Sequence, residues 1–282
     1  MNKVAIDRDG QLAYDEFNCT TPWKPAETVV LVHGFTKNRL FWHDWIPELC
    51  KHYRVINVDQ RGHGDSSPLP PDYKTVVRDF SDDMASFAKA LKIERAHFVM
   101  AEFTSAIALD FAVAYPALIQ SLVLPGLVYK AGNSVDWEGW ATLVDTKGSI
   151  GWARATNEHR LPAGVDPNKR EWYVTQQGRF APGPLANFFR IASTVDMSGN
   201  LPKITAPTLL ITGEHAKVQS AADVVAAARA MPHGVAKVIE GMPLNVMSAA
   251  PQEALKVTLE FLKALGEADA YAKVRPRGGQ SA

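Results

Sequence analysis

The chain has 282 residues, of which 46% are hydrophobic and 21% charged, so it can bury a sizeable core and is not a disordered protein. Its 30 Lys and Arg side chains balance 30 Asp and Glu side chains. This balance predicts no nucleic-acid and no membrane partner, and it leaves open whether the protein is a monomer or a homodimer. The N-terminus lacks the apolar core of a signal peptide, and no apolar run is long enough to span a membrane, so we expect a cytoplasmic protein.

Cysteine and histidine usage gives no sign of a metal or of another cofactor. The eight histidines are scattered, without a His-x-x-x-His pair. Cys19 and Cys50 are the only cysteines, and no motif pairs them. We expect both to be free thiols in a reducing compartment, and we expect no cofactor.

The first half of the chain alternates between two kinds of segment. An Asp-Gly pair between Val4–Ile6 and Leu12–Tyr14 predicts a hairpin. Short apolar runs follow, separated by helical patterns, and runs of this kind are typical of parallel strands buried on both faces. The predicted strands are Val29–Val32, Arg54–Val58, His97–Met100 and Leu122–Leu124, and the predicted helices are Phe41–Tyr53 and Val76–Lys92.

After Leu124 the alternation stops, and it resumes about 80 residues later. Residues 127–200 are rich in aromatic side chains and mainly helical in pattern, which predicts a helical cap. The later elements are the strands Leu209–Thr212 and Ala236–Ile239 and the helices Ser220–Met231 and Gln252–Leu265. The predicted fold class is therefore α/β, a doubly wound and mostly parallel sheet built by residues 1–126 and 201–266. We expect residues 267–282 to form a flexible tail.

Three motifs in this order resemble the α/β-hydrolase superfamily. They are 31-LVHGF-35, 59-DQRGHGDSS-67 and 206-APTLLITGEH-215. The resemblance covers nearly the whole chain and implies an α/β-hydrolase fold with a cap insertion. It also implies that the backbone N–H of Phe35 forms half of an oxyanion hole.

The positions that carry catalysis in that family are occupied by unreactive residues here. The segment 101-AEFTS-105 fits the family's small-x-nucleophile-x-small pattern with Phe103 at the nucleophile position. On this register, the second oxyanion donor is the N–H of Thr104. The family's acid corresponds to Ala216 and its histidine to Leu244, and no histidine follows His233. The resemblance therefore implies a degenerate member without a Ser-His-Asp triad.

Two polar residues remain as candidates for chemistry. Glu102 is predicted to act as a general acid or base, or else to turn aside toward a hydrogen-bond or ion-pair partner. His33 has the same two alternatives, because a histidine at this position usually orders the loop. The other predicted site residues form an apolar pocket, which suits a small apolar or aromatic molecule. They are Phe103, Met242, Leu244, Asn245, Trp137 and Trp140.

Three functions stay open at this point. The first is a non-hydrolytic, metal-free enzyme of the lyase, isomerase, decarboxylase or cyclase type. The second is a ligand-binding pseudoenzyme, and the third is an inactivated or engineered hydrolase of esters or C–C bonds. The identity of a small molecule bound in the predicted pocket would distinguish all three.

Overall fold

The computed structural model describes residues 1–132 and 135–266. Within them, one sheet runs through the molecule with the strand order β1-β2-β4-β3-β5-β6-β7-β8. Only the pairs β1–β2 and β2–β4 are antiparallel, so the mostly parallel sheet and the N-terminal hairpin are both confirmed. The strands are β1 (Asn2–Ile6), β2 (Gly10–Phe17), β3 (Thr28–Val32), β4 (Arg54–Val58), β5 (Ala96–Met100), β6 (Ile119–Pro125), β7 (Thr208–Gly213) and β8 (Gly234–Ile239).

Helices cover both faces of the sheet. Successive residues of a strand point to opposite faces, so Val30 belongs to one hydrophobic cluster and Val29 to the other. The helices are α1 (Ile46–Leu49), α2 (Val77–Ala90), α3 (Thr104–Ala114), α4 (Trp137–Thr156), α5 (Pro167–Gly178), α6 (Pro182–Ala192), α7 (Ala221–Ala230), α8 (Val246–Ala249) and α9 (Pro251–Gly266). Among the described residues, none of these helices is both long and apolar enough to cross a bilayer.

One predicted helix is wrong. Residues 41–53 do not form a single helix, but a 3₁₀ turn at Arg39–Trp42 followed by the four-residue α1. Pro47 explains the break, because proline lacks the N–H that would continue the hydrogen bonding from the preceding turn. The side chain of Asn38 starts the 3₁₀ turn by accepting a hydrogen bond from the Leu40 N–H. The helix predicted at Ser220–Met231 is confirmed as α7, and Ser220 is its N-cap, with its Oγ accepting from the Asp223 N–H at 3.1 Å.

Helices α4, α5 and α6 lie in sequence between β6 and β7, within the range predicted as the cap. Helix α4 is kinked at Gly148, whose φ of 68° lies in the left-handed region that favours glycine. Trp140, Trp152 and Phe189 pack on one another with ring centroids 5.0–5.9 Å apart, which joins α4 to α6. The predicted tail at residues 267–282 lies outside the described residues.

The two cysteines are free thiols, and their Sγ atoms lie 3.1 Å apart. The Cys19 N–H also donates to the Cys50 carbonyl at 2.9 Å, which holds the segment between β2 and β3 against α1.

Candidate active site

The turn between β5 and α3 places a glutamate at the centre of the site. Strand β5 ends at Met100 and helix α3 begins at Thr104. Between them, Glu102 has a φ of 57°, in the left-handed region, whereas Phe103 has an ordinary helical φ of −61°. The nucleophile of the family that the motifs resemble occupies this strained strand-to-helix turn. Glu102, and not Phe103, therefore stands at the nucleophile position.

The predicted register was thus displaced by one residue. The prediction rested on small residues two positions from the centre, but here Met100 and Thr104 hold those places and both are fully buried. The end of the strand predicts the centre of the turn better than the small residues do. Because the apolar run ends at Met100, the three-residue turn that follows is centred on Glu102.

The carboxylate of Glu102 is held by one of its two oxygens. Lys37 Nζ forms a short ion pair with Oε1, and Asn245 Nδ2 donates to the same atom at 2.7 Å. Oε2 has no donor in the described part of the chain and lies against the backbone of Gly34, where a Cβ would clash with it. The side chain of Glu102 keeps 9% of its surface accessible and forms part of a cavity wall. One oxygen is therefore fixed while the other remains available.

Lys37 is a site residue that the sequence did not reveal, since a single lysine in a loop has no distinguishing pattern. Its side chain is fully buried, with Nζ 5.2 Å from the ring centroid of Phe41 and 5.0 Å from that of Tyr173. Burial disfavours its charge, but the attraction of the Glu102 carboxylate raises the pKa of Lys37 above its ordinary value. Lys37 is consequently a cation at neutral pH.

Tyr173 connects this ion pair to the cap. Asn245 Nδ2 lies 3.2 Å from the Tyr173 hydroxyl, which comes from α5. Burial raises the pKa of Tyr173, so the phenol stays protonated. The α8 N-cap residue Asn245 thus joins the glutamate of the core to a phenol of α5.

Two backbone N–H groups beside Glu102 are free to bind an oxyanion. Within residues 1–132 and 135–266, neither Phe35 N–H nor Phe103 N–H donates to a protein acceptor. The prediction for Thr104 is wrong, because its N–H already donates to the Ala101 carbonyl at 3.1 Å. The second donor of an oxyanion hole is the residue after the nucleophile position, which is Phe103.

A cavity of about 400 Å³ lies between this turn and helices α4–α6. Five of the six residues predicted for the pocket lie on its wall, and the structure adds further aromatic rings. Phe188 joins the two sides, since it stacks on Phe35 at 3.9 Å and meets Phe103 edge-on at 4.5 Å. The predicted residues on the wall are Phe103, Leu244, Asn245, Trp137 and Trp140, and the added ones include Trp152, Arg160, Gln177 and Phe189.

A sequence model of the alpha/beta hydrolase family matches residues 29–255. The chain belongs to this family. It is 39% identical over 100 residues to a putative carbamate hydrolase RutD of Pantoea ananatis, which covers 35% of this chain and 36% of that protein. The chain thus spans only about a third of that relative. It is also 26% identical over 249 residues to a 2-(acetamidomethylene)succinate hydrolase of Mesorhizobium japonicum, covering 84% of this chain and 88% of the relative.

Solved structures of other proteins share this fold. The enol-lactonase from Burkholderia xenovorans superposes with a TM-score of 0.83 at 21% identity, over 93% of this chain and all of that one. A thermophilic esterase from Thermogutta terrifontis superposes with a TM-score of 0.81 at 22% identity, over 94% and 98% of the two chains. At these identities the likeness shows the fold, and the chemistry has to be read from this chain's own residues.

Ala216 and Leu244 were predicted to stand at the family's acid and histidine positions, and the structure gives their surroundings. Ala216 follows β7, and its N–H closes a turn to the Gly213 carbonyl at 3.2 Å. Leu244 precedes α8 and lies on the cavity wall. Met242 was predicted to share that wall, but it is not among the described residues that line it. Its carbonyl accepts from the His215 N–H at 2.9 Å, and its side chain packs in the hydrophobic cluster on the other face of the sheet.

His33 orders the loop and does not reach the cavity in the part of the chain that the structure describes. Its Nδ1 lies 2.9 Å from the Gly34 carbonyl, and the Gln60 N–H donates to its Nε2 at 3.1 Å. Complete burial lowers the pKa of His33 to about 3, so the ring is neutral with its proton on Nδ1. Of the two alternatives for His33, the structure supports the structural one.

No metal centre is evident among the described residues. They contain no group of three or more His, Cys, Asp or Glu side chains placed to share an ion. The groups that converge on the cavity are instead a carboxylate, two free amides and a set of aromatic rings.

Proposed function

We propose that this chain is a non-hydrolytic enzyme that transfers a proton at a carbon next to a carbonyl group of a small, largely apolar or aromatic molecule, without a metal or other cofactor. The observation that carries the proposal is the Glu102 carboxylate at the nucleophile turn, facing the cavity beside the free N–H groups of Phe35 and Phe103. This arrangement suits isomerisation, decarboxylation, cyclisation or C–C cleavage, because each passes through an enolate or a related anion.

The proposed step begins with Glu102 as a base. Its oxygen Oε2 takes the proton from the carbon, and the electron pair of that C–H bond moves into the carbonyl to form an enolate. The N–H groups of Phe35 and Phe103 would bind the enolate oxygen, as an oxyanion hole does. In an isomerisation the proton then returns from Glu102 to another carbon of the substrate, so that the enzyme ends unchanged.

Lys37 and Asn245 fix the orientation of the base in this scheme. They bind Oε1 and leave Oε2 pointing away from them. The positive charge of Lys37 lies directly against this carboxylate and attracts it. A carboxylate is a weak base, so we expect substrates whose C–H bond is already activated by a carbonyl group.

Hydrolysis through a covalent intermediate is less compatible with this site. A carboxylate can attack a substrate, but the resulting ester must then be cleaved by a water molecule that a base has activated. The family positions for that base and its partner are Leu244 and Ala216. The relatives named as hydrolases therefore share the fold with this chain, and their named activities do not transfer to it through these residues.

A specific observation favours a second candidate, which is a ligand-binding protein. Glu102 is already paired with Lys37, and this pair could serve only to join the turn to the loop after β3. In that case the cavity would bind a small molecule by burial alone. The two candidates differ in whether a bound carbonyl compound exchanges a proton.

Hydrogen–deuterium exchange distinguishes them. The protein is incubated in D₂O with activated ketones such as 2-tetralone and phenylpyruvate, and exchange at the carbon next to the carbonyl is followed by NMR. We expect exchange above the buffer rate, and we expect Glu102→Gln to reduce it at least a hundredfold while binding changes less than tenfold. The exposed Glu16→Gln is the matched control and should leave exchange unchanged.

Two results would remove the enzymatic proposal. If Glu102→Gln exchanges as fast as the wild type, Glu102 is not the base. If aromatic ketones bind and no exchange occurs, the protein is a binding protein.

A further inference from the structure

Two side chains that line the cavity each have a buried donor without an acceptor in the described residues. The Nε of Arg160 and the indole Nε1 of Trp152 are both buried and form no hydrogen bond in the described residues. The guanidinium carbon of Arg160 lies 4.4 Å from the Trp152 ring centroid, so the two side chains are in contact. Both residues line the cavity. An unmade hydrogen bond of a buried donor costs free energy, and two of them side by side indicate a ligand that accepts both.

The charge of Arg160 is also uncompensated. Its side chain forms no ion pair with the carboxylates of the described residues, and its one hydrogen bond is from Nη2 to the Ala153 carbonyl at 2.9 Å. Burial lowers the pKa of Arg160 to about 10, yet the group is still charged at neutral pH. A buried cation without a counter-ion is costly, and a bound anion would offset that cost.

The other charged groups around the cavity do not supply this counter-ion. Glu102 is neutralised by Lys37. Asp136 is exposed, and its side chain accepts the Gly139 N–H at 2.8 Å, which caps α4. The remaining charged or titratable wall residues, Lys217 and His159, are exposed and lie on the wall as donors rather than as anions. Among the described residues that line the cavity, Arg160 is therefore a buried cation without a carboxylate partner.

We propose that the ligand of this cavity is a small aromatic or unsaturated carboxylic acid whose carboxylate binds Arg160 and Trp152. A carboxylate has two oxygens in a plane, which suits one guanidinium N–H and one indole N–H at the same time. The apolar part of the molecule would lie among Phe188, Phe189 and Trp140. This inference rests on the proposed function, since it makes the acid the substrate whose other end meets Glu102.

A second polar atom refines the substrate class. Gln177 is buried on the cavity wall, and its Nε2 donates to Thr36 Oγ1 at 2.9 Å. Its Oε1 has no donor among the described residues. A hydroxyl or N–H on the ligand would satisfy it. The preferred acid therefore also has a hydroxyl or amine group, which should strengthen binding.

Calorimetric titration with a matched pair of ligands tests the inference. Cinnamate and cinnamamide have nearly the same shape and differ in charge. We expect the wild-type protein to bind cinnamate at least tenfold more tightly than cinnamamide. Arg160→Met should remove this preference by weakening cinnamate binding at least tenfold, with cinnamamide binding unchanged within threefold.

Trp152→Phe isolates the second donor, because it keeps the ring and removes the N–H. It should weaken cinnamate binding three- to tenfold and leave cinnamamide binding unchanged. Arg154→Met is the matched control. Arg154 lies on α4, as Trp152 does, but it is exposed and pairs with Glu171. It should affect neither ligand.

Each result decides the matter. Equal binding of the acid and the amide by the wild-type protein would overturn the inference without any variant, even if Arg160→Met does not fold. An unchanged preference in a folded Arg160→Met protein would overturn it as well. Selective binding of cinnamate together with no exchange on ketones would leave the carboxylate site standing and remove the proton transfer. Exchange without acid selectivity would do the reverse.

Discussion

Lys37 and Arg39 lie two residues apart on the loop after β3, and both are buried against carboxylates. Arg39 binds three of them, since its guanidinium contacts Asp15, Asp59 and Asp65. Lys37 binds one, Glu102, which has a second oxygen without a donor in the described residues. Arg39 does not line the cavity, whereas Glu102 does. The two clusters show how a buried charge that serves the fold differs from one that serves a site: the first is fully paired, and the second keeps a free atom.

The largest loss of stability is expected at Asp59, where the buried charges are most completely paired. Asp59 is fully buried and accepts from the Arg39 side chain, from the Arg39 N–H at 2.6 Å and from the Asp65 N–H at 3.0 Å. Asp59→Ala should lower the free energy of unfolding by about 3–5 kcal/mol, because it removes the one fully buried carboxylate that binds Arg39 and leaves two N–H groups unpaired. Urea denaturation measures this change. A loss below about 1 kcal/mol would mean that this cluster is not structural, and Glu171→Ala on the surface provides the control.

Breaking the ion pair between Lys37 and Glu102 should destabilise the protein somewhat less than Asp59→Ala does. Lys37→Met leaves Glu102 buried without its cation, and the free energy of unfolding should fall by about 3 kcal/mol. Adding Glu102→Gln should restore most of this loss, since the double variant has no buried charge to stabilise.

The double-mutant cycle also separates structure from activity. Stability should return in the double variant while proton exchange stays absent. If the double variant is as unstable as Lys37→Met, the lysine contributes by packing against Phe41 and Tyr173 rather than by its charge.

Acid should weaken the loop through its histidine. The pKa of His33 in the folded protein is about 3, below the ordinary value of 6.5, so the unfolded chain takes up a proton that the folded chain refuses. The contribution of His33 is full above pH 6.5 and is lost as the pH falls toward 3, at about 1.4 kcal/mol per pH unit. Unfolding measured between pH 7.5 and 5 should show this slope. His33→Asn should remove its share of the slope and leave the share of His63 and His97, whose pKa values burial also lowers. Replacement of the exposed His52 by Gln should not change the slope.

The smallest effect is expected at the edge of the Arg39 cluster. The side chain of Asp65 is 44% exposed, and its pair with Arg39 is reached by solvent. Asp65→Asn should therefore cost about 1 kcal/mol or less, and added salt should reduce the difference further. A loss as large as that at Asp59 would show that the cluster acts as one unit, and the contrast between its centre and its edge would disappear.

Most of the sheet could be predicted from the sequence, because a strand that is buried on both faces is apolar at nearly every position. The runs at β3 and β5 are continuous in Val, Leu, Phe and Met, and the Asp-Gly turn before Leu12 fixes the hairpin. The apolar wall followed in part from the same signal, since Leu244 and the cap tryptophans stand out by hydrophobicity. Met242 has a similar side chain but faces the other side of the sheet, which hydrophobicity alone does not distinguish.

The polar part of the site was harder to predict because it depends on distances between remote segments. Lys37, Tyr173 and Asn245 come from three parts of the chain and meet only through the fold. No local sequence pattern marks Arg160 either. It stands out only because the fold buries it without a carboxylate partner among the described residues. Whether Glu102 or Phe103 lies at the centre of the turn is a difference of one residue in register. The positive φ of Glu102 identifies it as the central residue.

The left-handed backbone at Glu102 has a consequence for how the protein tolerates change. A non-glycine residue in this conformation costs about 1–3 kcal/mol, and a buried ion pair adds little net stability to offset it. Glycine at this turn would be relaxed, so Glu102→Gly combined with Lys37→Met should give a protein that resists heat better than the natural one and transfers no protons. A selection for thermal stability carried out in the absence of substrate should therefore remove the active site before it alters the sheet.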